Sequence, residues 1–345
     1  MLERVRVWAE YSGMKSNRPS RRTILAAAAA SVAGICVASS SALGLQEEGL
    51  KEAKERSELP PWDGPIIDVH QHTNYLKRPD EALLRHQQRM GVTQTILLPS
   101  GSDVNSPATH QGKANGLYAG AGGVETVAPI AAAHPGAYYF FANEVPDLPD
   151  ARKTLETWLQ RGAIGIGEQK FNLACDSPEM EMVYALAQEY QVPVLMHFQY
   201  EMFNTGYERF GKVLEKWPKV NFIGHAQMFW ANIDADSENV KQSYPKGPVK
   251  RGGLTDKYLS DYPNLYGDLS AGSGLNSLIR DEDHARGFIE RHQERLLFGS
   301  DCPDHLGHGP TCTGASIIAA IRRLSGDEAV ARKVLYANAK ALLKV

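Results

Sequence analysis

Cysteine is scarce in this chain. There are four, Cys36, Cys175, Cys302 and Cys312, and none forms a Cys-x-x-Cys pair. That argues against a disulfide framework and against a zinc ribbon. Long apolar runs are also lacking. The stretch from Ile24 to Val37 is alanine-rich, too short and too weakly apolar for a membrane span. Nor is there an excess of positive charge. The 37 Lys and Arg are outnumbered by 40 Asp and Glu, for a formal charge of -3, and the basic residues are dispersed. No nucleic-acid face is indicated. What the chain does have is 345 residues, 43% of them hydrophobic, enough to bury a large core.

Residues 1–44 read as a targeting segment rather than as structure. Ser20-Arg21-Arg22-Thr23-Ile24-Leu25 resembles the twin-arginine export signal of bacteria, and small residues follow the apolar run through Ser39-Ser40-Ser41-Ala42-Leu43-Gly44. Cys36 does not make a lipobox, because Ile35 is too large for the position before it. The expectation is export to the periplasm or medium, with an uncleaved N-terminal anchor as the alternative. Residues 45–62 form a charged linker, and residues 63–345 the folded domain.

The domain alternates. Short apolar strands are expected at 65–72, 92–99, 138–145, 163–168, 192–197, 220–225, 264–269 and 295–300. Helices are expected at 80–90, at one or two places between 113 and 133, and at 148–160, 178–190, 207–216, 254–262, 283–293, 314–324 and 327–343, with a long irregular connection at 226–251. Ser177 is a ready N-cap with Pro178 at the first helical position. Eight strands alternating with helices have the size of a (β/α)₈ barrel, although a doubly wound open sheet would alternate in the same way.

The strand ends separate these. The first strand, Pro65-Ile66-Ile67-Asp68-Val69-His70-Gln71-His72, ends in two histidines. By strict alternation Asp68, His70 and His72 share one face. Other strands end in Glu168, His197, His225 and Asp301. Each alone has an ordinary explanation: a core histidine, a cap or a rim ion pair. Together they suit a closed barrel, which brings the carboxyl ends of its strands to one axis, whereas an open sheet would spread them along a line. Imidazoles and carboxylates of this kind suit a divalent metal, Zn²⁺ first, with Mn²⁺, Fe²⁺ or Co²⁺ also open.

Asp68-Val69-His70-Gln71-His72, the strand-end His197 and His225, and Gly299-Ser300-Asp301 resemble the amidohydrolase superfamily. The branch most similar is the amidohydrolase-related group of hydrolases and non-oxidative decarboxylases. His134-Pro135-Gly136 and Tyr336-Ala337-Asn338-Ala339 are weaker similarities to that group. The resemblance implies a metal held by His70, His72, His197 and Asp301. It implies that His225 either binds a second metal or hydrogen-bonds nucleophile and substrate. Glu168 is favoured over Lys170 as the fourth-strand ligand, and one or two ions are expected.

The implied chemistry is hydrolysis of an amide, ester or lactone of a small molecule by a metal-activated water, with Asp301 moving the proton and His225 assisting. Decarboxylation of a small carboxylic acid is the alternative. Asp68 is expected to orient a ligand. Phe198-Gln199-Tyr200, Gln227-Met228-Phe229-Trp230 and Asp268-Leu269-Ser270-Ala271-Gly272 lie just past strand ends, as candidate substrate walls or as ordinary packing. Asp304, His305 and His308 add polar groups near the mouth. Cys302 and Cys312 are either a disulfide or two free thiols. No nucleic-acid partner and no membrane span after signal cleavage are expected, and a homo-oligomer is left open.

Overall fold

In the computed structural model, residues 61–102 and 120–345 are described. The targeting segment, nearly all of the linker and part of the loop and helices expected between 100 and 133 lie outside them. Among the described residues, no helix is long and apolar enough to cross a membrane.

Eight parallel strands run in chain order: β1 (Ile67–Gln71), β2 (Gln94–Leu97), β3 (Tyr138–Phe140), β4 (Ile166–Gln169), β5 (Val194–His197), β6 (Phe222–His225), β7 (Leu265–Asp268) and β8 (Leu296–Leu297). Between and after them lie α1 (Asp80–Met90), α2 (Val124–Ala133), α3 (Ala151–Gln160), α4 (Pro178–Tyr190), α5 (Phe210–Lys216), α6 (Gln227–Ala231), α7 (Ser237–Val240), α8 (Leu254–Asp261), α9 (Ala271–Ile279), α10 (Glu282–His292), α11 (Thr313–Leu324), α12 (Glu328–Arg332) and α13 (Asn338–Leu343). Strands β1–β3 form one ladder and β4–β8 another. Backbone bonds join the ladders at both seams. Between β3 and β4, Ile164 N donates to Phe140 O at 3.0 Å and Gly167 N to Ala142 O at 2.8 Å. Between β8 and β1, Val69 N donates to Phe298 O at 3.1 Å and Asp301 N to His70 O at 2.8 Å. The chain is a (β/α)₈ barrel.

Two apolar clusters follow from the alternation of the strands. One lies between strands and helices and includes Leu97, Phe140, Ile166, Val194, Phe222 and Phe298. The other fills the barrel: Ile67, Val69, Ile96, Phe141, Leu195, Ile223 and Leu297. Ala339, Leu342 and Leu343 of α13 belong to this inner cluster, so the last helix plugs the barrel beneath its apolar layers. Only the other end is left for polar side chains.

Strict alternation fails in β1. Its register with β2 shifts between Asp68 and Gln71. Val69 packs in the inner cluster with Ile67, whereas Asp68 bonds Gln87 of the outer helix α1. Asp68 therefore does not share a face with His70 and His72, which corrects the sequence expectation. The irregularity turns both histidines inward.

Most expected helices occur where the periodicity puts them, and α4 keeps its Ser177 cap, which accepts from Met180 N at 3.3 Å. The connection at 226–251, expected to be irregular, contains α6 and α7. Helix α9 was not expected, because Gly272, Ser273 and Gly274 have low helix propensity. Packing requires one of these residues to be glycine: a Cβ at Gly274 would lie 2.0 Å from Leu269 O. The final helix is interrupted by a π-turn at Lys333–Ala337, after which Asn338 Nδ2 donates to Gln293 O and Leu296 O at 2.7 and 2.9 Å and ties it to β8.

Candidate metal centre

The five strand ends converge. His70 and His72 approach through their Nε2 atoms at 3.2 Å. Glu168 Oε2 lies 3.3 Å from His70 Nε2 and 3.5 Å from His72 Nε2. Asp301 Oδ1 lies 3.4 Å from His72 Nε2, and Asp301 Oδ2 lies 3.7 Å from His225 Nε2. Glu168 Oε1 contacts His197 Nδ1 and lies 3.8 Å from His225 Nε2. The ligand atoms of His70, His72 and Asp301 fall within 4.8 Å of one another, and so do those of His70, Glu168 and His225. His197 joins neither trio; its Nδ1 is against Glu168 and its Nε2 is 3.1 Å from Gln199 Oε1.

The hydrogen bonds behind the rings decide which nitrogens carry hydrogen. His72 Nδ1 lies 2.7 Å from the carbonyl oxygen of Leu98, so Nδ1 is the donor and Nε2 presents its lone pair. His70 Nδ1 lies 2.7 Å from Asp268 Oδ2, with the same result. Ser270 donates its hydroxyl to Asp268 Oδ2 at 2.8 Å, so it accepts from His225 Nδ1 at 2.9 Å. His225 Nε2 is then also a lone pair. With neutral rings, three lone pairs and two carboxylates face one space, and the raised pKa of His70 marks a proton on that ring as one positive charge that can occupy it. Asp301 Oδ1 is buried without a hydrogen-bond partner. Such a set is repulsive unless positive charge lies within it, and the donor types fit a divalent cation.

The same electrostatics govern the protonation of these groups. Burial works against a charged His70, but Asp301, Asp268 and Glu168 prevail and hold its pKa well above the usual imidazole value. His225 goes the other way, down to about 4, through burial and the neighbouring charge of His70. For Glu168, burial is outweighed by His197 and His70, which hold it well below the ordinary carboxylate range. For Asp301, burial is likewise outweighed by His70 and His72. The centre stores negative charge and draws positive charge toward it.

Several supporting residues were not singled out in the sequence. Asp268 and Ser270 lay within a segment considered for substrate walls, yet they orient His70 and His225. Arg78 is buried and donates to Cys302 O at 2.7 Å, Asp304 O at 3.0 Å, Gln71 Oε1 at 2.6 Å and His72 O at 3.2 Å. It ties the end of β1 to the segment after β8. No sequence signal marked it. Asp68 accepts from His70 N at 3.0 Å, Ser300 N at 2.8 Å, Ser300 Oγ at 2.5 Å and Gln87 Nε2 at 3.0 Å. It orients strand ends rather than a ligand ring.

Other expectations resolve differently. Lys170 sets its ammonium over the Phe203 ring, 5.6 Å from the centroid, while Glu168 enters the cluster. Phe198, Phe229 and Trp230 are core residues, and Tyr200 is exposed. His305 and His308 are exposed, and Asp304 caps Leu306 N and Gly307 N at 2.8 and 2.7 Å. Cys302 and Cys312 are free thiols.

Comparison with known proteins gives the same fold. No curated protein is matched in sequence. A dihydroxybenzoic acid decarboxylase from Polaromonas, with bound manganese and the inhibitor 2-nitroresorcinol, shares 18% identity over 81% of this chain and 97% of its own, with a TM-score of 0.53. A 5-carboxyvanillate decarboxylase from Sphingomonas paucimobilis shares 17% over 79% of this chain and 85% of its own, with a TM-score of 0.51. A probable 2-pyrone-4,6-dicarboxylic acid hydrolase from Acinetobacter baumannii, with citric acid bound, shares 14% over 81% and 99%, again with a TM-score of 0.51. The family model described as Amidohydrolase matches residues 67–345, from β1 to the end of the chain. With the barrel, the converging strand-end side chains and this match together, the chain belongs to the amidohydrolase family, a family of metal-dependent enzymes.

Proposed function

We propose that this protein is a metal-dependent hydrolase that cleaves an amide, ester or lactone bond of a small molecule. The observation that carries the reading is Glu168. One of its oxygens faces His70 and His72, and the other faces His197 and His225. A carboxylate with one oxygen toward each histidine pair is placed to link two cation positions. Paired cation sites recur in hydrolases such as phosphatases and aminopeptidases.

In this reading His70, His72 and Asp301 would hold one cation and Glu168 and His225 the neighbouring position, while His197, whose ring nitrogens face Glu168 and Gln199, would hold Glu168 in place. Zn²⁺ suits the donors, and Mn²⁺ is the first alternative. A cation there supplies Lewis acidity and brings the pKa of water near 7. The chain's own residues do the rest. Asp301, an ionised carboxylate with an oxygen free of hydrogen bonds, accepts the proton of the attacking water and passes it to the leaving atom. Asp268 and Ser270 keep His70 and His225 in the tautomers that present Nε2 inward. The tautomer of His225 favours a ligand role over donation to a substrate carbonyl.

The test is a metal count on purified protein with a substrate panel of amides, esters, lactones and aromatic carboxylic acids. Two equivalents at the histidine centre, counted as those lost in His70→Ala/Asp301→Asn, and hydrolysis support the proposal. One equivalent lost there and release of carbon dioxide from an acid would replace it with the decarboxylase reading. Export through the twin-arginine route is part of the proposal; sequencing the N-terminus of the secreted protein tests it.

A further inference from the structure

A second group of metal-binding side chains lies apart from the histidine centre. His86 and Met90 stand four residues apart on the buried face of α1. Cys312 caps the N-terminus of α11, its sulfur accepting from Ala315 N at 3.4 Å. Cys302 follows Asp301 directly in the chain. The ligand atoms of His86, Cys302 and Cys312 all lie within 4.8 Å of one another. Cys312 Sγ is 3.4 Å from His86 Nε2 and 3.7 Å from Met90 Sδ.

These spacings can be compared with those of a tetrahedral ion. Metal–sulfur bonds of about 2.3 Å and metal–nitrogen bonds of about 2.1 Å place neighbouring sulfur and nitrogen donors about 3.5–3.6 Å apart, and two sulfurs about 3.8 Å apart. The two observed edges are within about 0.2 Å of those values. His86, Cys302 and Cys312 are fully buried, and Met90 nearly so. The packing leaves room for the thioether: a Cβ at Gly314 would sit 2.6 Å from Met90 Sδ.

We infer that His86, Cys302 and Cys312, with Met90 as fourth donor, form a closed site for a thiophilic d¹⁰ cation, Zn²⁺ or Cu⁺. Two thiolates, an imidazole and a thioether are soft ligands, unlike the carboxylate-rich histidine centre. Four protein donors leave no position for water or substrate, which is the arrangement of a structural site. The ion would fasten α1 to the loop after β8. That loop already leans on the helix: Arg89 Nη1 donates to Leu306 O at 3.4 Å, and a Cβ at Gly307 would lie 2.5 Å from His86 O. The neighbouring residue Gln87 holds Asp68, which holds Ser300, beside Asp301. The inference goes beyond the proposed hydrolysis and holds whichever reaction the histidine centre carries out.

Cobalt distinguishes the two sites, because only sulfur ligands give a thiolate-to-Co²⁺ charge-transfer band in the near ultraviolet. Reduced full-length protein is stripped with chelator and titrated with Co²⁺. The band is expected in wild type and in His70→Ala/Asp301→Asn, and absent from Cys302→Ser/Cys312→Ser, which should also lose one equivalent of bound metal by elemental analysis. Zn²⁺ bleaching the band identifies a zinc site. A Cu⁺ titration competed with a copper(I) chelator identifies a copper site, and there Met90→Leu should weaken binding at least tenfold while leaving the two cysteines in place. No charge-transfer band in reduced wild type overturns the inference, a result that needs no folded variant. So does a Cys302–Cys312 disulfide in freshly purified protein, or a band that survives loss of both cysteines. Failure of hydrolysis with the band intact would leave this site standing and remove only the proposed reaction.

Discussion

His70 and Asp268 are 198 residues apart in sequence and meet at 2.7 Å, ring Nδ1 to carboxylate Oδ2, with both side chains fully buried. The contact fixes the tautomer of a ring whose other nitrogen faces the centre. Asp268→Asn removes the negative charge and allows the ring to turn over. Metal affinity at the histidine centre is expected to fall about 10–100-fold, measured by competition with a chromophoric chelator. Unchanged affinity would mean that Asp268 serves packing alone.

Asp301→Asn keeps the size of the side chain but cannot carry the proton. The expected result is a kcat lower by about 10²–10⁴, with substrate affinity largely retained. Steady-state kinetics with binding measured separately by calorimetry would show it. A loss confined to binding would reassign the residue.

Glu168→Gln addresses the number of ions. The variant is expected to retain one cation at His70 and His72 and to lose the other, read by elemental analysis of dialysed protein. Retention of the same count as wild type would exclude Glu168 from its place between the two positions.

Gly299 lies between the strand-end side chains. A Cβ there would come within 2.4 Å of Asp268 Oδ1 and 2.9 Å of both His70 Cβ and Ser270 Cβ. Gly299→Ala is expected to cost about 1–3 kcal/mol in stability, as overpacking does, and to disturb the His70–Asp268 contact. Chemical denaturation and metal titration of the same variant test both. A neutral result would mean that the strand end moves aside freely.

A pH dependence follows from Asp256 on α8. Its carboxylate receives His292 Nε2 at 2.5 Å and Arg291 Nη2 at 2.9 Å. Burial works against the charge, but the bonds to His292 and Arg291 prevail and hold the pKa below the ordinary value. A lowered folded-state pKa stabilises the fold above the unfolded aspartate value, about 3.9, and that contribution is lost as pH falls through the folded value. Asp256→Asn should therefore cost about 1–3 kcal/mol at neutral pH, with the difference from wild type shrinking in acid. Parallel urea titrations at several pH values check it; a gap that is constant with pH would rule out the ionic origin.

The barrel was legible because apolar strands and periodic helices repeat with little ambiguity, and its strand-end residues could be named because they follow apolar runs. Less legible were features set by contacts distant in sequence. The register shift that parts Asp68 from His70 leaves no mark on the alternation of Ile67, Asp68 and Val69. Asp268 and Ser270 gain their roles only when barrel closure brings the end of β7 within reach of His70 on β1 and His225 on β6. Arg78 looks like a surface residue until the segment after β8 covers it. Helix α9 contradicts local propensity, and the close approach of Gly274 to Leu269 that its position requires is invisible in the sequence.

The seam between β8 and β1 carries a consequence for biosynthesis. Asp68 and Ser300 meet across it although 232 residues separate them, and Asp301 N bonds His70 O at the same place. A ribosome making this chain releases the two histidines long before the aspartate that completes their set. Throughout that interval the growing polypeptide has an open edge at β1 and an incomplete cage. The full set of strand-end side chains can assemble only after β8 has left the exit tunnel, so the candidate metal centre is among the last parts of the molecule to form.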